Sequence, residues 1–406
     1  MTSRYASLSR EELATLVPEL LLIGQLIDRS GMAWCISAWG REEMAQVAIE
    51  EWSGASPIYT RRMQDALSYR GTDVVTIFKG LQLDIGAPPQ FMDFRYTVHD
   101  PWRGEFHLDH CGALMDVEPM GEAYVVSMCH DIEDPTFDAT AVATNAKAQV
   151  RPVHRPPRST PDQHPHCRWT VTIDESFPAV EPLPAYYEVI QKHAATIALD
   201  PIDPADEGMA DYSGPLLSDV DFGAFSHSAL VRIADEVCLQ MHLLNLSFEV
   251  AVRARADEAQ AAEICRKQLT GIAGLAAERI HRALRLPAGV AGALRVLEVH
   301  PLLNPAAYNH AVFSDSTVTV GTSPASEDGG WVALCGPDDP SALQALVRGV
   351  DPHLDVDVTG TAEAWTAHVV RRDAAAPEAP EVAVTRFSTG SAFEFEPRRS
   401  LPITPV

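Results

Sequence analysis

The sequence predicts an α+β fold in which helices precede a mainly antiparallel sheet, with this plan set out twice as two similar halves. Three observations carry the expectation. Over the first eighty-odd residues, apolar side chains recur at helical spacing. Residues 91–98, 104–111, 122–129 and 167–173 alternate as strands do. After residue 225, two long helical stretches return and short strand candidates follow them. A run of helices and then of strands argues against a parallel βαβ architecture.

The elements follow in order. Ser7 or Ser9 can cap a helix opening at Arg10-Glu11-Glu12, with Leu13, Leu16, Val17, Leu20, Leu21 and Leu22 on its apolar side. Pro18 falls inside it, where a kink or a break is expected. A second helix is expected over 41–52, with helical character continuing over 58–69 and in an amphipathic piece at 72–83 that stops before Pro88-Pro89. The four alternating segments are then read as strands. Between them, residues 131–138 form a capped turn that opens a short helix over 139–148.

In the second half, residues 226–255 and 258–286 are expected to be long helices. Residues 294–299, 308–313, 317–320 and 331–335 are expected strands, and a last strand is placed near 382–387 after the loop 374–380. Residues 39–46 and 255–260 share a local composition at comparable places, which adds weak support for duplication. The boundaries that result are an α+β domain over 1–173, a connector over 174–224 and a second α+β domain over 225–406. The connector holds eleven carboxylates, one lysine and six prolines, and one helix over 186–199 fits inside it.

Charge limits the partners. With 31 Lys+Arg against 56 Asp+Glu, the formal net charge is −25, which excludes the basic footprint of a nucleic-acid binder. It also argues against an anionic membrane surface. No apolar run reaches the ~20 residues of a membrane helix; the stretch 20–27 is broken at Gly24 and Gln25. No signal peptide is evident at the start, and seven scattered cysteines suit reduced thiols, so a cytoplasmic location is expected. CxxC, GxGxxG, Walker and GxSxG motifs are all missing.

Histidine and cysteine concentrate where chemistry is expected. Seven of the fifteen histidines lie within residues 99–166, and Cys111, Cys129 and Cys167 lie in or beside that stretch. These side chains serve proton transfer, nucleophilic attack and metal ligation near neutral pH. On strands with a two-residue side-chain period, His107, Asp109 and Cys111 share one face, and Cys129 shares one with Asp131. Convergence of these five would supply a thiol nucleophile, a base and orienting carboxylates. The alternative is a divalent metal site on His107, His110, His130 and Asp131, although no spacing matches a standard zinc signature. His164-Pro165-His166-Cys167 is a lesser metal candidate.

Residues 139–161 contain no carboxylate but carry Lys147, Arg151, Arg155 and Arg158 around His154. Arg151, His154 and Arg155 are thus candidates to clamp a substrate carboxylate, with pairing to the acidic connector, or to the acids of residues 131–138, as the competing use. His227, His242 and His281, scattered on helices, form no comparable group.

From Cys111 through the Met128-Cys129-His130-Asp131 segment to Cys167-Arg168-Trp169, the chain resembles the L-2-amino-thiazoline-4-carboxylic acid hydrolase family. The resemblance spans about residues 10–175, rests on a cysteine/aspartate pattern and an element order, and says nothing of the second half. It implies hydrolytic opening of a small heterocycle bearing a carboxylate. The extra histidines, the acidic connector and the second half depart from it, so the substrate is not carried over.

The expected function is hydrolysis of a C–N or C–S bond in a small anionic substrate, heterocycles included. Cys129 or Cys111 would be the nucleophile, His107 the base, and Asp109 or Asp131 its orienter. No cofactor is required in that scheme. A metal-dependent hydrolase or lyase, with a divalent metal, is the enzymatic alternative. A small-molecule or metal sensor is the non-enzymatic one, with the second half forming a homodimer.

Overall fold

Ser9 and Glu12 close a reciprocal capping box, and α1 (Arg10–Trp39) runs from it without a break through Pro18. Leu16, Val17, Leu20 and Leu21 on either side of the proline are fully buried, and that burial outweighs the hydrogen bond it removes. Gly40 turns the chain into α2 (Arg41–Ala66), one helix where two pieces were expected, and Asp73 caps α3 (Val74–Gln82). The structure, a computed structural model, describes residues 2–361, 363–387, 390 and 393–406.

Strands β1 (Met92–Asp100) and β2 (Arg103–Cys111) form a hairpin, and β3 (Ala148–His154) and β4 (Cys167–Ile173) complete an antiparallel sheet of order β1-β2-β4-β3. Edge strand β3 was missed in sequence because Pro152 lies within it. Proline is tolerated on a strand only where no ladder bond is asked of its nitrogen.

The strand expected over 122–129 is helical instead. Between β2 and β3 come α4 (Gly112–Val117), α5 (Glu122–Val126), a π-helical turn (Ser127–Ile132) and α6 (Glu133–Val142). Val125, Met128, Cys129 and Ile132 are the buried apolar side chains, a helical spacing that the local run of apolar residues obscured.

The connector carries α7 (Pro184–Val189) and α8 (His193–Thr196) in place of one helix, and packs along α2. The second half then runs α9 (His227–Arg253), α10 (Glu258–Ala283), α11 (Val290–Val299), β5 (Ala311–Phe313), β6 (Thr317–Val320), α12 (Pro324–Asp328), α13 (Ser341–Val350), β7 (Leu354–Gly360), β8 (Trp365–Arg371) and α14 (Pro380–Phe387). Residues 294–299 and 382–387 are therefore helical and 331–334 form a 3₁₀ turn, where strands were expected. The second sheet has the order β5-β6-β8-β7, matching the first strand for strand.

The two halves do not bury separate cores. Helix α1 packs on α9 and α10, and α2 packs on α9, so the four long helices share one core. Among the described residues no helix is long and apolar enough to cross a membrane.

Candidate functional site

Strand β2 decides where the anticipated site residues go. Phe106 pairs with Tyr96 and Leu108 with Phe94, but Met92 pairs with Cys111, so β2 spends three residues where β1 spends two. That bulge at Asp109-His110 reverses the side-chain alternation. His107 and Asp109 stay on the outer face of the sheet, while Cys111 joins Phe106 and Leu108 in the interior. The expected common face of His107, Asp109 and Cys111 is not formed.

On the outer face His107 lies between Arg95 of β1 and Arg168 of β4. Burial lowers its pKa, with Arg168 and Arg95 adding to the effect against the opposing pull of Asp109. Its Nε2 lies 3.5 Å from Asp109 Oδ1, and Arg398 donates to Asp109 Oδ2 at 3.2 Å. Asp131 is exposed. His130 Nε2 donates to the Pro156 carbonyl at 2.7 Å, and the His110 ring stacks on Phe393 at 3.8 Å. Burial pushes His110 down to about 4, helped by His166. The metal set His107, His110, His130 and Asp131 is thus dispersed. Among the described residues, no three His, Cys, Asp or Glu side chains gather as metal ligands.

The three thiols do meet. Cys111, Cys129 and Cys167 are all buried, and each of Cys129 and Cys167 is raised further by the charge of a neighbouring thiol. Burial pushes Cys111 up to about 12 and holds Cys129 and Cys167 well above the ordinary thiol range, with Glu133 adding to all three. Among the described residues, no histidine is one of the groups that act on these thiols. These are packed thiols, not activated ones.

The basic segment is also spoken for. Arg151 Nη1 donates to both oxygens of Asp138 at 2.9 and 2.8 Å, Arg155 pairs with Asp134, and Arg158 with Glu118. Arg155 also lies over the Trp169 ring, 5.7 Å from its centre. The clamp on a substrate carboxylate is therefore occupied by the protein's own acids. His154 is half-buried, with no partner at Nδ1.

A different site lies under the inner face of the first sheet. Phe94, Phe106, Phe137 and Trp169 stack between β1, β2, β4 and α6, with ring centres 5.0–5.2 Å apart along Phe94–Phe106–Phe137–Trp169. Beside them is a cavity of about 80 Å³. At roughly 10–15 Å³ per water, it has room for about five to eight water-sized atoms. Gln25 and Arg29 of α1, Trp52 and Tyr59 of α2, Asp84, Met92, Glu133 and Thr136 are among its walls. The π-helical turn delivers Met128 and Ile132 to it and aims α6; such turns are frequent at functional sites.

Its charged groups are held in distinct states. Asp84 Oδ1 accepts from Tyr59 Oη at 2.8 Å and from Gly86 N at 2.7 Å. Burial nonetheless raises its pKa to about 6, those two bonds opposing the rise. Glu133 Oε2 is closed to solvent and has no partner. Burial pushes this carboxyl up to about 8, Arg155 opposing and Asp134 adding. Arg29 pairs with Asp28, whose Oδ1 accepts from Trp52 Nε1 at 3.1 Å. Burial works against the Arg29 charge, but Asp28, Asp116 and Glu51 together hold its pKa above the ordinary value. Glu51, fully buried with neither oxygen bonded, is raised well above the carboxylate range by burial, with Asp28 adding.

This constellation was not anticipated in sequence. The available signal was the charged pair Asp28-Arg29 inside an apolar run, a pairing that burial makes expensive. No protein-family model, no curated protein and no solved structure matches this chain.

Proposed function

We propose that this cavity is the active site of a hydrolase that cleaves a C–N or C–S bond of a small anionic substrate by general acid–base catalysis. One observation carries the reading: two carboxyl groups, Asp84 and Glu133, line the same small cavity with pKa values of about 6 and about 8. Near pH 7 the first is mainly ionised and the second mainly protonated, the arrangement that divides base from acid. The bond class is supported by the resemblance of residues 111–173 to the thiazoline-carboxylate hydrolases.

In this scheme Asp84 takes a proton from a water molecule, and the hydroxyl bonds to the substrate carbon. The electron pair of the breaking C–N or C–S bond leaves on the heteroatom, which takes the Glu133 proton. Solvent exchange restores both carboxyls. Trp52 and Phe137 supply flat apolar walls for a ring. Cys111 and Cys129 have no covalent part in it.

The test is turnover of a panel of five-membered N,S- and N,O-heterocyclic carboxylates, read by release of thiol or amine. D84N and E133Q should each lower kcat by about 10²–10⁴-fold. Failure of the wild type to open any ring, or equal rates in the variants, would refute the assignment.

A further inference from the structure

We infer that Arg29 is the residue that recognises the anionic group of the ligand, and that the ligand is a compact carboxylate. The inference rests on reading this cavity as the functional site, and the second half of the chain acts as its internal control. The N-caps Ser9 and Ser226 of α1 and α9 are 217 positions apart, as are the first residues of α2 and α10, Arg41 and Glu258. Both of the latter helices are 26 residues long. Each ends in a residue of positive φ, Ser68 at 54° and Arg285 at 50°, again 217 apart. Both close the same way, Tyr69 N donating to Gln64 O and Leu286 N to His281 O at 3.1 Å each.

Contacts between the halves obey the same correspondence. Arg62 Nε pairs with Glu236 at 2.9 Å, and Arg279 Nε with Glu19 at 2.8 Å. Gly54 leaves room for Ser247, and Gly271 leaves room for Ser30. Ser30 Oγ donates to α10 at Gln268 O, 2.7 Å, and Ser247 Oγ to α2 at Glu50 O, 2.9 Å, one residue before the position that the offset gives.

Carried across by 217 positions, Asp28 corresponds to Asn245, Arg29 to Leu246 and Glu51 to Gln268. Every charge of the set is replaced by a neutral side chain, the two carboxylates by their amides and the arginine by the shorter leucine, and Asn245, Leu246 and Gln268 are all buried. The second half builds the same helix pairs with no buried cation at this position, although a buried carboxyl, Glu249, accepts there from Asn245 Nδ2 at 2.9 Å. The packing of these helices therefore does not require the arginine, and the first half bears its desolvation cost for another reason. Arg29 is nine-tenths buried, is the one Lys or Arg lining the cavity among the described residues, and keeps Nε without a partner after its pairing with Asp28. A guanidinium so placed can donate from Nε to a ligand carboxylate oxygen. The cavity admits only a ligand of a few atoms beyond that group.

Calorimetric binding of thiazolidine-4-carboxylate and of its methyl ester tests this, using wild type, R29L, R29K and E133Q, with circular dichroism as the control on folding. R29L installs the residue that the second half carries. Wild type and E133Q should prefer the acid to the ester by tenfold or more. R29L should lose that preference while keeping a cooperative thermal transition, and R29K should keep part of it. Should R29L fail to fold, D28N/R29L, which reproduces the Asn245-Leu246 pair, takes its place. Acid preference surviving in R29L, absence of acid binding to wild type, or failure of the double variant to fold would each overturn the inference. Selective binding without turnover would overturn the hydrolase reading alone.

Discussion

Replacing Glu133 by glutamine should change how stability depends on pH, whatever the substrate proves to be. The carboxyl moves from an ordinary value of 4.5 to about 8 on folding. Below pH 4.5 both the folded and the unfolded forms are protonated, and its contribution is complete. As pH rises, the unfolded chain releases the proton first, so stability falls until the folded group ionises near 8. At 1.36 kcal/mol per pH unit the full loss is ~5 kcal/mol; partial exposure of the residue reduces this to roughly 2–4 kcal/mol. E133Q stays neutral throughout and lacks that loss. Urea denaturation from pH 5 to 8.5 measures it, since the other carboxyls contribute alike to both proteins. The two stability curves should lie close at pH 5, and E133Q should be the more stable by about 2–4 kcal/mol at pH 8.5. Parallel curves would show that Glu133 ionises normally and would remove the proposed acid.

Turnover, once a substrate is in hand, should follow a bell with limbs near pH 6 and pH 8. D84N should flatten the acid limb of any residual activity, and an unchanged limb would clear Asp84 of the role of base. Alkylation at neutral pH should leave Cys111, Cys129 and Cys167 unlabelled in the folded protein, and C129A should retain activity within about threefold; rapid selective labelling of Cys129 would revive the thiol mechanism. R151A should leave substrate KM unchanged and cost less than about 1 kcal/mol, because its pair with Asp138 is exposed on the arginine side. A large KM effect would return Arg151 to the substrate site. G54A and G271A should each destabilise by about 1–3 kcal/mol by crowding Ser247 and Ser30; free tolerance at either position would contradict the paired packing.

Much of the fold was legible because its patterns are local. The alternation at 92–98, 104–108 and 167–173 and the long amphipathic helices 227–253 and 258–283 survive in the structure nearly as read. What failed depended on partners or on single residues. Residues 122–129 read as a strand when taken alone, yet the buried apolar side chains from Val125 to Ile132 follow a helix packed on α2. Helix α13 and strands β7 and β8 were passed over, and β3 was hidden by Pro152. The site was misplaced for a related reason. Counting histidines and cysteines pointed to residues with potent chemistry, whereas Arg29 and Glu133 draw theirs from burial, which no residue count reveals. The basic segment pairs with acids at 134 and 138, as one reading of residues 131–138 had it, and not with the connector that was its first expected partner.

The bulge in β2 works as a phase correction. By accommodating one residue more than β1 supplies, it lets the strand present imidazole and carboxylate outward and still store its thiol inward. Deleting His110 would remove the extra residue and leave the two-residue rhythm unbroken, so that Cys111, now next after Asp109, would still face inward. Its thiol should stay closed to alkylating reagents, which rapid labelling of Cys111 would disprove. The strand can thus gain or lose this one residue without changing which surface carries its sulfur.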